Sequence, residues 1–137
     1  MIVVDTHVLV WLVADDARLG DEARAAISAA ATDGGVLVCA ITPWEIAMLA
    51  HKSRLLLGRE IGAWIEAALA LPGIRLVPIA PTIAVDSVRL PGTLHPDPAD
   101  RLIIATARHA GVALLTADRV ILAYGEQGLV GVMNASR

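Results

Sequence analysis

The chain has 137 residues, of which 56% are hydrophobic, and a formal net charge of −3. That length suits one domain over residues 1–137, and the charge argues against a broadly basic, nonspecific nucleic-acid binder. Cys39 is the only cysteine, which excludes an internal disulfide and a cysteine-based zinc site. No apolar run approaches the roughly 20 residues of a membrane helix, and the N-terminus lacks the features of a signal peptide. We therefore expect a soluble cytoplasmic protein.

The apolar residues are mainly Ala, Val, Leu and Ile, and none is Phe. This composition is typical of an α/β protein, because Ala and Leu favour helices while Val and Ile favour strands. The hydrophobic pattern of the first half predicts, in order, a strand at 2–4, a helix through Val8 to Leu12, a helix at 21–31, a strand at 36–40, a helix from Thr42 to about Arg54, and a helix at 59–70.

The second half continues the alternation of strands and helices, with one irregular, proline-rich stretch from Pro91 to Pro98. Strands that alternate with helices favour right-handed crossovers and a central parallel sheet of four to five strands with helices on both faces. The predicted elements are a strand at 74–79, a helix at 81–89, a helix opened by Asp97 and Pro98 that ends near Ala110, a strand at 112–116, a helix at 118–124 and a candidate fifth strand at 129–133.

Two of the predicted helices begin with the same signal, a capping residue followed by a proline and an acid. Thr42 would cap a helix whose first residue is Pro43 and whose third is Glu45. Residues 97–100 repeat this order, with Asp100 in the acidic position. Each helix is therefore expected to present a carboxylate from its first turn.

Four carboxylates stand where an apolar run gives way to a helix or a turn. Asp5, Glu45 and Asp118 follow the first, second and fourth predicted strands. Asp100 lies at the start of a helix that should pack beside them. Because functional groups collect beyond the carboxyl ends of parallel strands, we expect the four acids to converge. Mutually repelling carboxylates seldom gather without a cation, so the pattern indicates a Mg²⁺ or Mn²⁺ site for hydrolysis of a phosphodiester by a metal-activated water.

Each acid also has an ordinary structural interpretation. Glu45 and Asp100 occupy positions where acids stabilise a helix N-terminus, and Asp118 suits a turn or a cap. Asp5 is the hardest to explain in this way, because a charge directly after Ile-Val-Val is costly unless it is solvated or paired. We interpret Asp97 as the cap that supports the loop presenting Asp100.

Other polar and aromatic side chains are candidates for supporting roles. Thr6 and Thr116 could bind a ligand or a metal-bound water, or could simply cap their helix and turn. The tryptophans could stack on a base or fill a partner's groove, and core packing is the competing interpretation. The candidates for contact with RNA or with a protein partner are Trp11, Trp44, Lys52, Arg54 and Arg101.

Four blocks of the sequence resemble PIN-domain nucleases, and in particular the VapC-type toxins of type II toxin–antitoxin systems. The blocks are Asp5 to Trp11 (DTHVLVW), Thr42 to Ala47 (TPWEIA), His95 to Ala107 (HPDPADRLIIATA) and Leu115 to Asp118 (LTAD). They run in order from Met1 to about Val132, which is nearly the whole chain. No core acid of the family pattern is missing.

This resemblance implies a three-layer α/β/α sandwich and a Mg²⁺- or Mn²⁺-dependent endoribonuclease. Position by position, Asp5, Glu45 and Asp100 match the family's three core acids. Asp118 matches the more variable fourth acid, and Thr116 matches the nearby hydroxyl residue. The resemblance also implies dimers and inhibition by a small cognate antitoxin, whose C-terminal segment covers the acidic groove. Nothing in the sequence selects among RNA targets.

Several other functions compete with a toxin ribonuclease. A phosphatase is disfavoured because its usual second aspartate, two residues after the first, is His7 here. A phospho-accepting receiver domain is disfavoured because it needs a lysine late in the chain, and Lys52 is the only lysine. An RNA-processing nuclease of the same fold without an antitoxin stays open, as does a non-catalytic module whose acidic groove receives a basic peptide.

Overall fold

The computed structural model describes residues 1–94 and 97–137, and its centre is a parallel sheet of five strands. The strands lie in the order β3-β2-β1-β4-β5, and every neighbouring pair is parallel. The first strand is therefore the middle of the sheet, and the chain leaves it directly at Asp5. The strands are β1 (Ile2–Val4), β2 (Val36–Cys39), β3 (Ile74–Val77), β4 (Leu114–Thr116) and β5 (Val132–Asn134).

Helices cover both faces of this sheet, which confirms the predicted three-layer α/β/α architecture. The helices are α1 (Thr6–Val13), α2 (Asp21–Thr32), α3 (Ile41–His51), α4 (Ile61–Leu69), α5 (Pro81–Val88), α6 (Pro98–Ala110) and α7 (Arg119–Glu126). One core packs α1, α2 and α4 against the sheet, and the other packs α5, α6 and α7 against its opposite face. None of the described helices is both long enough and apolar enough to cross a membrane.

Alternation along the strands divides their side chains between the two cores. Ile2 and Val4 pack into the core with α1, α2 and α4, whereas Val3 packs into the core with α5, α6 and α7. Strand β2 follows the same period of two, with Val36 and Val38 on the first side. Because both faces of β1 and β2 are buried, their sequences are continuous apolar runs.

The start of α3 differs from the prediction, which placed Thr42 at the cap. The helix begins at Ile41, and Ala40 before it already has a right-handed helical conformation. Thr42 therefore lies inside the first turn, where its buried hydroxyl hydrogen bonds with that of Thr6. Glu45 projects from the second turn of α3 and not from the capping position that the sequence indicated.

Several other boundaries also differ from the prediction, and local backbone contacts explain those of α3, β4 and α4. Ser53, with φ of 56°, follows the end of α3 at His51, so the helix does not reach Arg54. The amide of Val112 bonds back to the carbonyl of Ala107, which delays β4 until Leu114. Glu60 caps α4, which spans Ile61–Leu69 within the predicted 59–70, and α5 ends at Val88. Strand β2 ends at Cys39, β3 at Val77 before Pro78, and β5 spans Val132–Asn134 where 129–133 was predicted.

Helix α6 begins as predicted at its N-terminal cap. The Asp97 carboxylate accepts hydrogen bonds from the amides of Ala99 and Asp100, at 2.9 and 3.4 Å, and Pro98 is the first helical residue. Gly111 ends the helix in the left-handed conformation, with φ of 68°. His95 and Pro96, which belong to the motif and to the predicted irregular stretch, lie outside the described residues.

Candidate active site

A groove of about 420 Å³ lies at the carboxyl end of the sheet, and the predicted acids line it together. We call it the acid groove. Its position follows from the topology, because β1, β2 and β4 end side by side and the helices that follow them begin at the same edge. The carboxylates that line it are Asp5, Glu45, Asp97, Asp100 and Asp118.

Three of these acids form a tight cluster, which we call the acid trio. Glu45, Asp97 and Asp100 each offer a carboxylate oxygen, and these oxygens lie within 4.8 Å of one another. Among residues 1–94 and 97–137, no other three His, Cys, Asp or Glu side chains are grouped this closely. Asp97 therefore joins the cluster as well as capping α6, whereas the sequence assigned it the cap alone. Asp5 and Asp118 line the same groove outside the trio.

Asp5 is held at the end of the central strand by hydrogen bonds to both of its carboxylate oxygens. The amide of Thr6 donates to Oδ1 at 2.8 Å, and the hydroxyl of Thr116 donates to Oδ2 at 2.6 Å. The side chain is 3% exposed although it is ionisable. Such contacts satisfy the buried carboxylate and fix its orientation toward the groove.

Thr116 connects two of the acids. It is fully buried at the end of β4, and its Oγ1 accepts a hydrogen bond from the amide of Asp118 at 3.0 Å while its own proton goes to Asp5. Asp118 in turn caps α7, because its Oδ1 accepts from the amides of Val120 and Ile121. Asp118 therefore has both predicted roles, since it caps a helix and also lines the acid groove.

Glu45 is supported by a pair of buried hydroxyl groups. The oxygens of Thr6 and Thr42 are 3.1 Å apart, which joins the first turn of α1 to the first turn of α3. The hydroxyl of Thr6 also lowers the pKa of Glu45, against the effect of burial. Thr6 therefore influences an acid of the trio, as well as lying at the start of a helix.

Crowding of negative charge changes the protonation of the trio. Burial, followed by the charges of Asp5, Asp97, Asp118 and Glu45, raises the pKa of Asp100 from 3.8 to about 8. Burial also raises the pKa of Glu45, an effect strengthened by Asp5 and Asp97 and opposed by the hydrogen bond from Thr6. Like charges brought together out of water disfavour ionisation of each other. The trio therefore favours a proton or a cation at its centre.

The structure adds two groove residues that the sequence did not single out. The amide of Ala117 donates to Nε2 of His7 at 3.1 Å, so the ring carries its proton on Nδ1, which lies 3.6 Å from Oδ2 of Asp5. His7 also contacts the Trp11 ring edge to face, with centroids 4.9 Å apart. The second added residue is Arg18, whose guanidinium lies over the Trp11 ring, 5.0 Å from its centroid. The contact between His7 and Trp11 could have been predicted, because residues four apart on a helix lie side by side.

The predicted contact residues are spread over different surfaces. Trp11 and Arg54 line the acid groove. Trp44 is 57% exposed and lines a separate apolar groove of about 540 Å³ that also borders Glu45 and Asp97. Lys52 is exposed at the end of α3, away from the lining of the acid groove. Arg101 donates hydrogen bonds to the carbonyls of Ser87 and Leu94, which ties α6 to α5 and to the following loop.

Comparison with known proteins identifies the fold family. A model of the PIN domain matches residues 2–127. The chain belongs to the PIN-domain family. The matched region contains every acid of the groove, so the resemblance indicated by the four sequence blocks is confirmed.

Three similar proteins are one curated ribonuclease and two proteins of known structure. This PIN domain is 37% identical over 118 residues to Ribonuclease VapC22 of Mycobacterium tuberculosis (strain ATCC 25618 / H37Rv), covering 86% of this chain and 87% of that protein. VapBC2 from Rickettsia felis bound to a promoter DNA fragment matches with a TM-score of 0.70 and 13% identity, over 98% of both chains. FitAcB from Neisseria gonorrhoeae matches with a TM-score of 0.66 and 23% identity, also over 98% of both chains. At these identities the two solved structures support the fold.

Proposed function

We propose that this PIN domain is a metal-dependent endoribonuclease that acts as the toxin of a toxin–antitoxin pair. The observation that carries the proposal is the acid trio beside Asp5 at the carboxyl end of the sheet. The relative at 37% identity is named a ribonuclease, which supports RNA as the substrate. An activity of this kind would be exerted in the cytoplasm, where cellular RNA is translated.

The donor set of the groove fits a hard divalent cation such as Mg²⁺ or Mn²⁺. All of its charged donors are carboxylate oxygens, which these ions prefer. Two oxygens bound to one Mg²⁺ at about 2.0–2.1 Å lie at most about 4.2 Å apart. The separations within the trio, up to 4.8 Å, need only a small adjustment or an intervening water. Glu45, Asp97 and Asp100 would hold the ion, with Asp5 and Asp118 as the adjoining acids.

A divalent ion bound there would polarise a phosphodiester and lower the pKa of an attacking water. The chain's own residues supply the positioning. Thr116 and the amide of Thr6 hold both oxygens of Asp5, so this carboxylate keeps one orientation at the groove. The cap of α6 fixes Asp97 and carries Asp100 one turn into the groove. No side chain needs to form a covalent bond to the RNA.

Replacement of Asp5 tests this function directly. The variant Asp5→Asn keeps the size of the side chain and removes its charge, so we expect loss of cleavage by about 10³-fold or more. Asp86→Asn is the matched control, because Asp86 is an exposed aspartate on α5 away from the groove. Cleavage of total RNA in Mg²⁺ should be followed together with the circular-dichroism melting curve. Wild-type cleavage by a folded Asp5→Asn protein would overturn the mechanism.

We also propose a small antitoxin as the protein partner, since several structural neighbours are toxin–antitoxin complexes. A basic segment of such a partner would complement the acid groove and block the substrate. Co-expression with the product of a short adjacent gene should suppress RNA cleavage and yield a stable complex. An active protein with no such neighbouring gene would instead be an RNA-processing nuclease of the same fold.

A homodimer is the third part of the proposal. Trp44 and Met48 line an apolar groove on α3, and Trp44 is more than half exposed. An exposed apolar patch of this kind favours a protein interface. Sedimentation equilibrium of the wild type should give a dimer, and Trp44→Glu should shift it toward the monomer. An unchanged dimer in this variant would place the interface elsewhere.

A further inference from the structure

The charge and polarity of the side chains that line the acid groove change along its length. Helix α1 lines it with Thr6, His7, Val10 and Trp11, and α3 lines it with Glu45 and Leu49. The acids lie near the N-terminal ends of α1, α3, α6 and α7, whereas the two arginines that line the groove, Arg18 and Arg54, follow the C-terminal ends of α1 and α3. An α-helix rises about 1.5 Å per residue, so Trp11 lies roughly one and a half turns, about 9 Å, beyond Asp5. The groove therefore runs from an acidic end, past apolar side chains, to a basic rim.

Arg18 on this rim is held in place before any ligand arrives. Its Nε donates to both oxygens of Asp16, at 3.1 and 3.2 Å, and its Nη2 donates to Oδ2 at 2.7 Å. The guanidinium lies over the Trp11 ring, 5.0 Å from its centroid, although the side chain is 67% exposed. Exposed arginines usually lose side-chain entropy when they bind. For Arg18, much of that loss has already occurred.

One edge of the guanidinium is left for a ligand. Asp16 engages the edge formed by Nε and Nη2, and Nη1 makes no hydrogen bond with any described residue. A guanidinium edge with two N–H groups matches the oxygens of a phosphate. The trio and Asp5 would repel every phosphate of an RNA strand other than the one that meets the cation. A strand that lies along the groove would therefore be favoured by positive charge beyond the acids, and Arg18 supplies such a charge.

We propose that Arg18 binds a backbone phosphate of the RNA next to the one that is cleaved, with Trp11 as its stacking platform. This inference rests on the proposed ribonuclease function. It gives Arg18 a role in binding and in the path of the strand, and leaves the chemical step to the acids. Its loss should therefore raise KM far more than it lowers kcat.

The competing role for Arg18 is purely structural, because Asp16 and Arg18 also close the loop between α1 and α2. The amide of Arg18 bonds to the Asp16 carboxylate, and the amide of Leu19 bonds to the Asp16 carbonyl. If loop closure were the whole role, removal of either partner of the ion pair would have the same effect. If Arg18 binds phosphate, Arg18→Gln weakens binding. Asp16→Asn does not, because the guanidinium still lies on the Trp11 ring and the charge that is no longer compensated offsets the lost preorganisation.

Arg24, on α2, provides the matched control, because its side chain contacts the same loop. It forms an ion pair with Asp15 at 2.8 Å and donates to the carbonyls of Leu19 and Asp16, yet it does not line the acid groove. Arg24→Gln removes one positive charge and loosens the loop, so it reports the effect of both changes without the proposed contact. We expect it to lower the melting temperature and to leave KM unchanged.

The experiment compares these variants on a labelled single-stranded RNA of mixed sequence. Cleavage is measured in Mg²⁺, and binding is measured in an Asp5→Asn background over a range of salt. We expect Arg18→Gln to weaken binding about 10-fold and to lower the slope of log affinity against log salt by about 0.7. Arg18→Lys should bind RNA with an affinity between those of Arg18→Gln and the parent, since lysine keeps the charge and lacks the planar guanidinium. Asp16→Asn should bind at least as tightly as its parent.

The outcomes separate this inference from the proposed function. The phosphate contact would be overturned if Arg18→Gln and Asp16→Asn weakened RNA binding equally, or if Arg18→Gln bound RNA as tightly as its parent. In either case, cleavage by the wild type would still support the nuclease function. Unchanged RNA binding with weaker antitoxin inhibition would also overturn the phosphate contact, and would assign Arg18 to a protein contact. A wild type that neither binds nor cleaves RNA would overturn both.

Discussion

Asp5 and the acid trio occupy the same groove but are built in opposite ways. Asp5 is almost fully buried and receives a hydrogen bond on each oxygen, so folding itself satisfies its charge. In the trio the nearest neighbours of each carboxylate include other carboxylates, and the pKa of Asp100 rises to about 8. One acid is thus held in a fixed orientation by hydrogen bonds, whereas the trio is a group of like charges that would attract a cation.

The difference follows from where each acid is attached. Asp5 ends a central strand with neighbours on both sides, so β4 can supply the Thr116 hydroxyl across the sheet edge. Glu45 comes from α3, and Asp97 and Asp100 come from the start of α6, so they meet only because these two helices pack together. The pairing of neighbouring strands therefore orients Asp5, whereas the packing of α3 against α6 brings the like charges of the trio close together.

Neutralising Asp100 should give the largest effect on cleavage, and it should distinguish the repulsion within the trio from the hydrogen-bonded support of Asp5. We expect Asp100→Asn to reduce cleavage by about 10³-fold, since a central ligand of the trio is lost. The same variant should be more stable than the metal-free wild type at pH 8, because a source of repulsion disappears. Activity and stability should thus move in opposite directions. Equal or lower stability of Asp100→Asn at pH 8 would contradict the repulsion assigned to the trio.

The sign of the pH dependence follows from the raised pKa of Asp100. The pKa of Asp100 is about 8 in the folded chain and 3.8 when unperturbed, so between these values the folded chain holds a proton that the unfolded chain releases. The free energy of unfolding is therefore unaffected by this group below about pH 4 and decreases as the pH rises from there through 8. The full shift would correspond to about 5–6 kcal/mol, and partial solvent screening reduces our expectation to about 2–3 kcal/mol. Urea unfolding of metal-free wild type and Asp100→Asn, between pH 4 and 8, measures it. Asp86→Asn should follow the wild type.

A smaller effect is expected when the support of Asp5 is removed. Thr116→Val keeps the shape of the buried side chain and removes the proton donated to Asp5 and the oxygen that accepts from Asp118. A hydrogen bond to a charged group contributes about 1.5–3 kcal/mol, so cleavage should fall at least about 10-fold. Thr116→Ser restores the hydroxyl and should recover most of the rate. Comparable losses in both variants would mean that packing, and not the hydrogen bond, is what matters.

Much of this fold could be read from the sequence, because local patterns determine it. The apolar run before Asp5 and the alternation of strands with helices predicted the sheet, and the cap at Asp97 predicted the start of α6. The start of α3 was wrong because Thr42 looks like a cap locally. Its hydroxyl instead bonds to Thr6, 36 residues away in the chain.

The parts of the site that could not be predicted depend on contacts between distant segments. His7 meets the amide of Ala117 across 110 residues, and Thr116 meets Asp5 across 111. Asp97 could be recognised as a cap, but its place in the trio depends on how α3 packs against α6. Arg18 is a loop residue by sequence, and only the fold brings it over Trp11 and into the groove wall.

The central claim, that the trio is a cation site, is tested most directly by metal titration of the folded protein. Melting temperature should rise with added Mg²⁺ or Mn²⁺ at pH 8, and more weakly at pH 6, because protons compete for Asp100. The Asp86→Asn control should behave like the wild type, and Asp100→Asn should show little or no rise. A wild type without metal stabilisation, or an Asp100→Asn variant stabilised to the same extent, would contradict the account.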